Sequence, residues 1–357
     1  MTKLRIHVLF EHGADGQPYG SAQIRLLRPL TYPALHDALE VTSGLAYDGQ
    51  PVDAVILDRL WQSDISLTLA AQILEAVHRS GARLIYAIDD NFLDLPASVA
   101  SWFTPQHRHI VEFFLSQADG VIVTTEGLRQ RFEPYNHNIV VMPHALDERL
   151  LVPRRRTWRE IRFRHSRIVI GYMGTFSHDD DLLMILPALH AVKKRYADRI
   201  EFQIVGVAER AETHDALHPL DARVIPLRPE TVEYTRFMPW FMQLKWDIAL
   251  APLSDSPFTR CKSDIKFLDY SALGAAGIYS RVPAYESTVR HRETGWLTEN
   301  TSEAWRIALE TLLTNKELRT TLAQAASHYL YGERTLAKSS PTWPAALSQL
   351  LQQAKLS

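Results

Sequence analysis

Short apolar runs alternate with amphipathic segments along most of the 357-residue chain. Leu4–Phe10, Ala54–Leu57 (AVIL), Arg83–Ile88 (RLIYAI), Gly120–Thr124 (GVIVT) and Ile139–Met142 (IVVM) read as buried strands. Between them apolar residues recur at helical spacing: Ile24, Leu27 and Leu30 behind Ser21, then Leu69, Ile73, Leu74 and Val77, then segments 107–117 and 126–132. The alternation restarts at Ile168–Tyr172 and continues through Glu201–Val205, Ala222–Ile225, Asp247–Ala251 and Ala276–Ser280. Helices are predicted over 180–196, 235–244, 264–273, 302–314 and 316–330, and a last one from Pro344 to Leu356. Strands alternating with helices make βαβ units and a mostly parallel sheet. The expected fold is α/β, with two Rossmann-like doubly wound domains facing an interdomain cleft.

The alternation is broken once, by PRRRTWREIRFRHSR from Pro153 to Arg167, which holds seven arginines and one glutamate. This break sets the expected domains: an N-terminal one over 1–155, a C-terminal one over 156–340, and a tail helix over 341–357 packing back on the first. Arg154–Arg167 is either a solvated linker or a basic face for peripheral contact with an anionic membrane.

Charge narrows the function classes. Lys plus Arg number 39 against 41 Asp plus Glu, a formal charge of −2, which argues against a nucleic-acid binder working by bulk phosphate neutralisation. The single cysteine, Cys261, excludes a disulfide within the chain and a cysteine-based zinc site. The first residues lack the apolar run of an export signal, and no stretch approaches the roughly 20 apolar residues of a membrane span. The expected location is the cytoplasm, with peripheral contact at the inner face of the membrane through the arginines.

The segment Asp247–Ser280 carries the candidate chemistry. A buried strand ends at Pro252, a polar loop follows, and a helix is expected to start at Ser263 as its N-cap. Helix N-termini attract anions, and Lys262 and Lys266 add charge beside this one. Asp269 lies three residues beyond Lys266, where a carboxylate suits vicinal ribose hydroxyls. A nucleoside diphosphate fits this set; so does a capped surface helix that binds nothing.

PLSDSPFTRCKSDIKFLDYSALGAAGIYS strongly resembles the donor-binding segment of the group 1 glycosyltransferases, retaining enzymes of the GT-B fold. The continuation PAYESTVRHRETGWL, the opening IGYMGTFSHDDDL of the second half, and AIDDNFLDLP and VMPHALDE in the first half resemble segments of the same family, in the same order. The resemblance implies glycosyl transfer from a nucleotide-sugar donor to a glycan or lipid-linked glycan acceptor, with retention, in polysaccharide biosynthesis. It implies no metal or other cofactor. Asp269 then matches the ribose-binding carboxylate, usually Glu, and Ser263 and Lys266 would meet the diphosphate, with Lys262 beside them. Lys266 would stabilise the leaving group. Relatives carry a second Glu where this chain has Cys261. Their phosphate-binding Arg and Lys in the first loop of the second domain are replaced by Gly174, Thr175, Phe176, Ser177 and His178, of which Gly174, Thr175 and His178 remain candidate donor contacts.

In the first half, Gly16 lies in a Gly-rich loop able to approach the donor, Asp90 is a candidate acceptor orienter or base, and His144 is a candidate donor contact. Trp102, Trp158, Trp240 and Trp246 could stack sugars or fill the core. Two other readings stay open: a nucleotide-sugar epimerase on the same architecture, and a non-catalytic subunit that binds a glycan or partner.

Overall fold

Strand residues facing alternate sides of a sheet dictate where each layer packs, and the first sheet shows this cleanly. The computed structural model describes residues 3–96, 102–151, 167–174, 179–206, 211–227 and 233–353. The chain forms two units. The first comprises Met1–Asp147, Arg260–Ser263 and Arg334–Ser357; the second comprises Glu148–Thr259 and Asp264–Glu333.

In the first unit six parallel strands run β1 (Leu4–Leu9), β2 (Leu39–Gly44), β3 (Ala54–Asp58), β4 (Arg83–Ile88), β5 (Gly120–Val123) and β6 (Ile139–Val141), in the spatial order 2-1-3-4-5-6. Val55, Leu57, Leu84, Tyr86, Ile88, Val121 and Val123 face one core, under helices Leu67–Arg79, Pro105–Gln117 and Glu126–Phe132. Ala54, Ile56, Ile85, Ala87 and Ile122 face the other. That second face is covered by Ala22, Leu26 and Leu30 and by Trp343, Leu347 and Leu350 of helix Trp343–Gln353. Asn138 pins this last helix by donating to the Leu350 carbonyl at 2.9 Å.

The second unit repeats the plan with β7 (Ile168–Gly174), β8 (Ile200–Gly206), β9 (Arg223–Ile225), β10 (Ile248–Ala251), β11 (Ala276–Ser280) and β12 (Trp296–Thr298), all parallel, in the order 12-11-10-7-8-9. Helices Asp179–Tyr196 and Ser302–Thr314 cover one face. On the other, the Trp246 ring occupies the space that a side chain at Gly171 would need. In each sheet the order reverses once, between β1 and β3 and between β7 and β10. Ligands in open α/β sheets bind at the carboxyl ends of strands at such a reversal.

Two segments of the first unit differ from the expected domain limits. Residues 260–263 and 334–340, expected in the second domain, belong to the first unit, where Leu146 and Thr335 form a bridge and Cys261 enters the core. Most of the arginine-rich stretch, 154–166, lies outside the described residues. No helix among the described residues is long and apolar enough to cross a membrane. Strands β2 and β12 and helix Ala211–Leu217 have no counterpart in the pattern reading. The β2 sequence, LEVTSG, is largely polar because it is an edge strand, and β12 has only three residues.

Candidate functional site

The second unit builds its candidate site where β7 and β10 diverge. Continuous apolar runs make both strands, and the chain leaving β10 is held by side chains. Leu253 N–H donates to Ser280 Oγ at 2.8 Å, Asn300 Nδ2 donates to the Leu253 carbonyl at 2.8 Å, and Ser254 N–H donates to Asp181 Oδ1 at 2.7 Å. Asp179 accepts from Thr213 Oγ1 at 2.9 Å. Asp179 and Asp181, at the start of the helix after β7, thus have structural partners.

Helix Ile265–Leu273 then begins, and Gly274 ends it in the left-handed conformation (φ 75°) that glycine favours. Tyr270 clamps the helix to both strands: its hydroxyl donates to the Leu250 carbonyl at 2.9 Å and accepts from Met173 N–H at 3.4 Å. Lys266, one turn earlier, is buried with its Nζ 5.0 Å from the centre of the Tyr172 ring. Gly174 ends β7 beside the same ring; a Cβ there would stand 2.7 Å from the Tyr172 hydroxyl. The structure therefore gathers Lys266, Asp269 and Gly174 around one pair of tyrosines. Thr175 and His178 lie outside the described residues.

Asp269 is buried, and burial pushes its carboxyl up to about 7 against the opposing pull of Lys266. Its ordinary value is 3.8. Between the two values the folded chain keeps a proton that the unfolded chain has lost, so this group's contribution falls as pH rises through that window. Between pH 5 and pH 8 the loss amounts to about 3 kcal/mol. Urea denaturation of wild type and Asp269→Asn at pH 5 and pH 8 is expected to show the extra loss in wild type alone. Equal changes in both proteins would show that Asp269 does not titrate this way.

Ser263 is not the cap of this helix. Asp264 occupies the N-cap position without a side-chain capping bond, and Ser263 Oγ instead pairs with His144 Nδ1 at 2.9 Å within the first unit. Residues 260–263 are anchored there at every step. Thr125 Oγ1 donates to the Cys261 carbonyl at 2.9 Å, Asn91 Nδ2 lies 3.8 Å from Cys261 Sγ, and Lys262 Nζ lies 2.9 Å from Asp90 Oδ1. A Cβ on Gly127 would come within 3.2 Å of the Arg260 carbonyl, so the segment lies close against the helix that Thr125 caps. Of the eight site residues expected between 144 and 269, the six among the described residues thus fall into two sets. Gly174, Lys266 and Asp269 stand in the second unit, and His144, Lys262 and Ser263 in the first, with Asp90.

Around Asp90 the first unit holds a charge network that the sequence reading missed. Arg25 is buried between Asp58, in direct contact, and Asp89, at 3.3 Å. It is carried by a π-helical turn, Gln23–Leu27, a distortion often found at functional sites. Arg59 donates to both oxygens of Asp89, at 2.6 and 2.9 Å, and pairs with Glu11 at 3.2 Å and Asp90 at 3.5 Å. Burial disfavours the Asp89 charge, but Arg25 and Arg59 outweigh it and hold the carboxyl well below its usual range. Burial pushes Glu11 the other way, up, despite Arg59. Arg59 has left-handed backbone (φ 50°), which costs a residue with a Cβ roughly 1–2 kcal/mol. The available signal was positional: Glu11, Asp58, Arg59, Asp89 and Asp90 all stand at or just past the ends of β1, β3 and β4. Gly16 (φ 72°) turns the loop after β1, which His12 and Pro18 close as an antiparallel bridge. Among the described residues no group of three or more His, Cys, Asp or Glu side chains is arranged to hold a metal ion.

Residues 167–315 match the family model described as glycosyl transferases group 1. No curated protein matches the chain. Among solved structures, HepE of Anabaena in complex with UDP and glucose is similar over 97% of this chain and 99% of its own, with TM-score 0.67 and 13% identity. A glycosyltransferase from Rickettsia africae is similar over the whole of both chains, with TM-score 0.65 and 13% identity. Sucrose-phosphate synthase from Thermosynechococcus elongatus is similar over 84% of this chain and 74% of its own, with TM-score 0.64 and 14% identity. Residues 167–315 thus carry the match to glycosyl transferases group 1, and the pair of six-stranded parallel sheets gives the chain the GT-B fold of these structures.

Proposed function

We propose that the chain moves a sugar from a nucleoside-diphosphate donor to a hydroxyl of a glycan or lipid-linked glycan, with retention, in polysaccharide biosynthesis. The observation that carries the donor assignment is the pairing of Lys266 with Asp269 on one buried helix at the strand-order reversal of the second unit. The diphosphate would lie at the start of helix Ile265–Leu273, where the first-turn N–H groups and Lys266 favour negative charge. Gly174 would let backbone approach it, with Thr175 and His178 as further contacts from the same loop. Asp269 would accept hydrogen bonds from the ribose hydroxyls, which its ionised form does best. UDP and UDP-glucose, bound by HepE, are the first donor candidates.

In transfer, the bond from the anomeric carbon to the phosphate oxygen breaks as the acceptor oxygen bonds from the same face. Lys266 opposes the charge that develops on the leaving diphosphate, and that diphosphate takes the acceptor proton. No metal is assigned to this scheme. Asp90 would orient the acceptor hydroxyl, and Lys262, Ser263, His144 and Gly16 would be further donor contacts from the first unit. The place of action is the cytoplasm, at the inner membrane face when the acceptor is lipid-linked, with Arg154–Arg167 as the anionic-surface contact.

A thermal-shift series with UDP, GDP, dTDP and ADP tests the donor assignment. A ligand present at 100 times its dissociation constant stabilises the folded state by about 2.7 kcal/mol, so one nucleotide is expected to raise the midpoint well above the others. No shift with any of them removes the donor site from the helix.

A further inference from the structure

We propose that Glu11, Asp90 and Trp102 form a subsite for one pyranose ring of the acceptor, with Arg59 as the positioning residue that holds the subsite together; this rests on the transferase reading above. A pyranose offers a C–H face and a rim of hydroxyls. An aromatic face suits the first and carboxylates suit the second.

Arg59 in the first unit touches the carboxylates directly and reaches the indole through Phe92. Its Nη1 pairs with Glu11 at 3.2 Å and its Nη2 with Asp90 at 3.5 Å, while its Cζ lies 5.5 Å from the centre of the Phe92 ring. Phe92 meets Trp102 edge to face at 5.9 Å. Phe103 at 5.6 Å and His107 at 6.4 Å support the indole further. Trp102 nonetheless remains 42% exposed. A large ring left in solvent on three supporting rings has a free surface and little freedom to lose on stacking. The Glu11 and Asp90 side chains keep 14% and 18% of their surface. They stand beyond the ends of β1 and β4, next to the β1–β3 reversal where ligands bind in such sheets.

Arg59 explains why the two carboxylates sit together. The bidentate bond to Asp89 fixes its guanidinium plane, and the left-handed backbone aims it across the strand ends. Its remaining N–H groups then set where Glu11 points and, together with Lys262 at 2.9 Å, where Asp90 points. Lysine would keep the charge and lose the fork.

The test is saturation-transfer difference NMR on the full chain, with the methyl glycosides of glucose, galactose, mannose and N-acetylglucosamine as probes. At least one glycoside is expected to bind, with the strongest saturation on its ring C–H protons. Trp102→Ala is expected to weaken that glycoside about tenfold, and Trp102→Phe by less, while UDP affinity stays unchanged. Glu11→Gln and Asp90→Asn each weaken it several-fold, roughly the share of one charged hydrogen bond. Arg59→Lys is expected to keep the melting midpoint near wild type yet lose glycoside affinity, a split that a purely structural arginine would not produce. No binding by wild type, or equal binding by wild type and Trp102→Ala, overturns the subsite. Glycoside binding that persists when no nucleotide binds would sink the transferase reading and leave the subsite standing.

Discussion

Replacing Lys266 with alanine is expected to lower sugar transfer by about two to three orders of magnitude in a chain that stays folded, the usual loss when one preorganised charge-stabilising group is removed. Lys266 is buried against the Tyr172 ring, where charge is weakly screened. A cation there acts on a diphosphate more strongly as the leaving group gains charge, so kcat should fall more than the donor KM rises. The variant has a second consequence that must be separated from the first. Lys266 pulls the Asp269 carboxyl down, so its loss leaves Asp269 protonated to higher pH. If activity returned fully at pH 9, the defect would lie in Asp269 alone. If Lys266→Ala matched wild type at pH 8, the lysine would have no part in transfer.

The largest effect on stability is expected from Arg25→Met. Arg25 pairs with Asp58 and Asp89, both buried; its removal strands the Asp58 carboxylate in a region water hardly reaches and leaves Asp89 with Arg59 alone. Breaking a buried pair from one side typically costs about 3–5 kcal/mol, whereas replacing both partners with neutral groups costs far less. Arg25→Met combined with Asp58→Asn should therefore recover much of the single-variant loss. Denaturant titration of the two single variants and the double variant gives the coupling. Additive losses would mean that the pair contributes nothing as a pair.

The parts of the fold that were legible are those whose pattern is local. Ile248–Ala251 and Ala276–Tyr279 are uninterrupted apolar runs, and Gly274 between them marks a helix end without reference to anything distant. The C-terminal helix was legible for the same reason, through Trp343, Leu347 and Leu350 at helical spacing. Ser263 misled because its best local role, capping, competes with a partner 119 positions away in sequence, His144. The Arg25–Asp58–Asp89–Arg59–Glu11 network was not legible as a network. Each pair joins residues 30 to 48 positions apart or more, and Arg25 reaches it from a π-helical turn that no spacing rule marks. Asp90 was picked out for its place at a strand end, and the same reasoning extended to Glu11 and Arg59 would have found the hub. Polarity hid β2, whose exposed edge needs few apolar residues.

The first unit closes its second core face with Trp343, Leu347 and Leu350, which leave the ribosome only after the whole second unit. Until then that face, which holds Ile85, Ala87 and Ile122, has only the cover of Ala22, Leu26 and Leu30 while the whole second unit is being made. Of the two units, the one begun before the other is therefore completed after it. During synthesis it depends on the speed of elongation, or on a chaperone covering that face, for a period set by more than 180 intervening codons between Asp147 and Arg334.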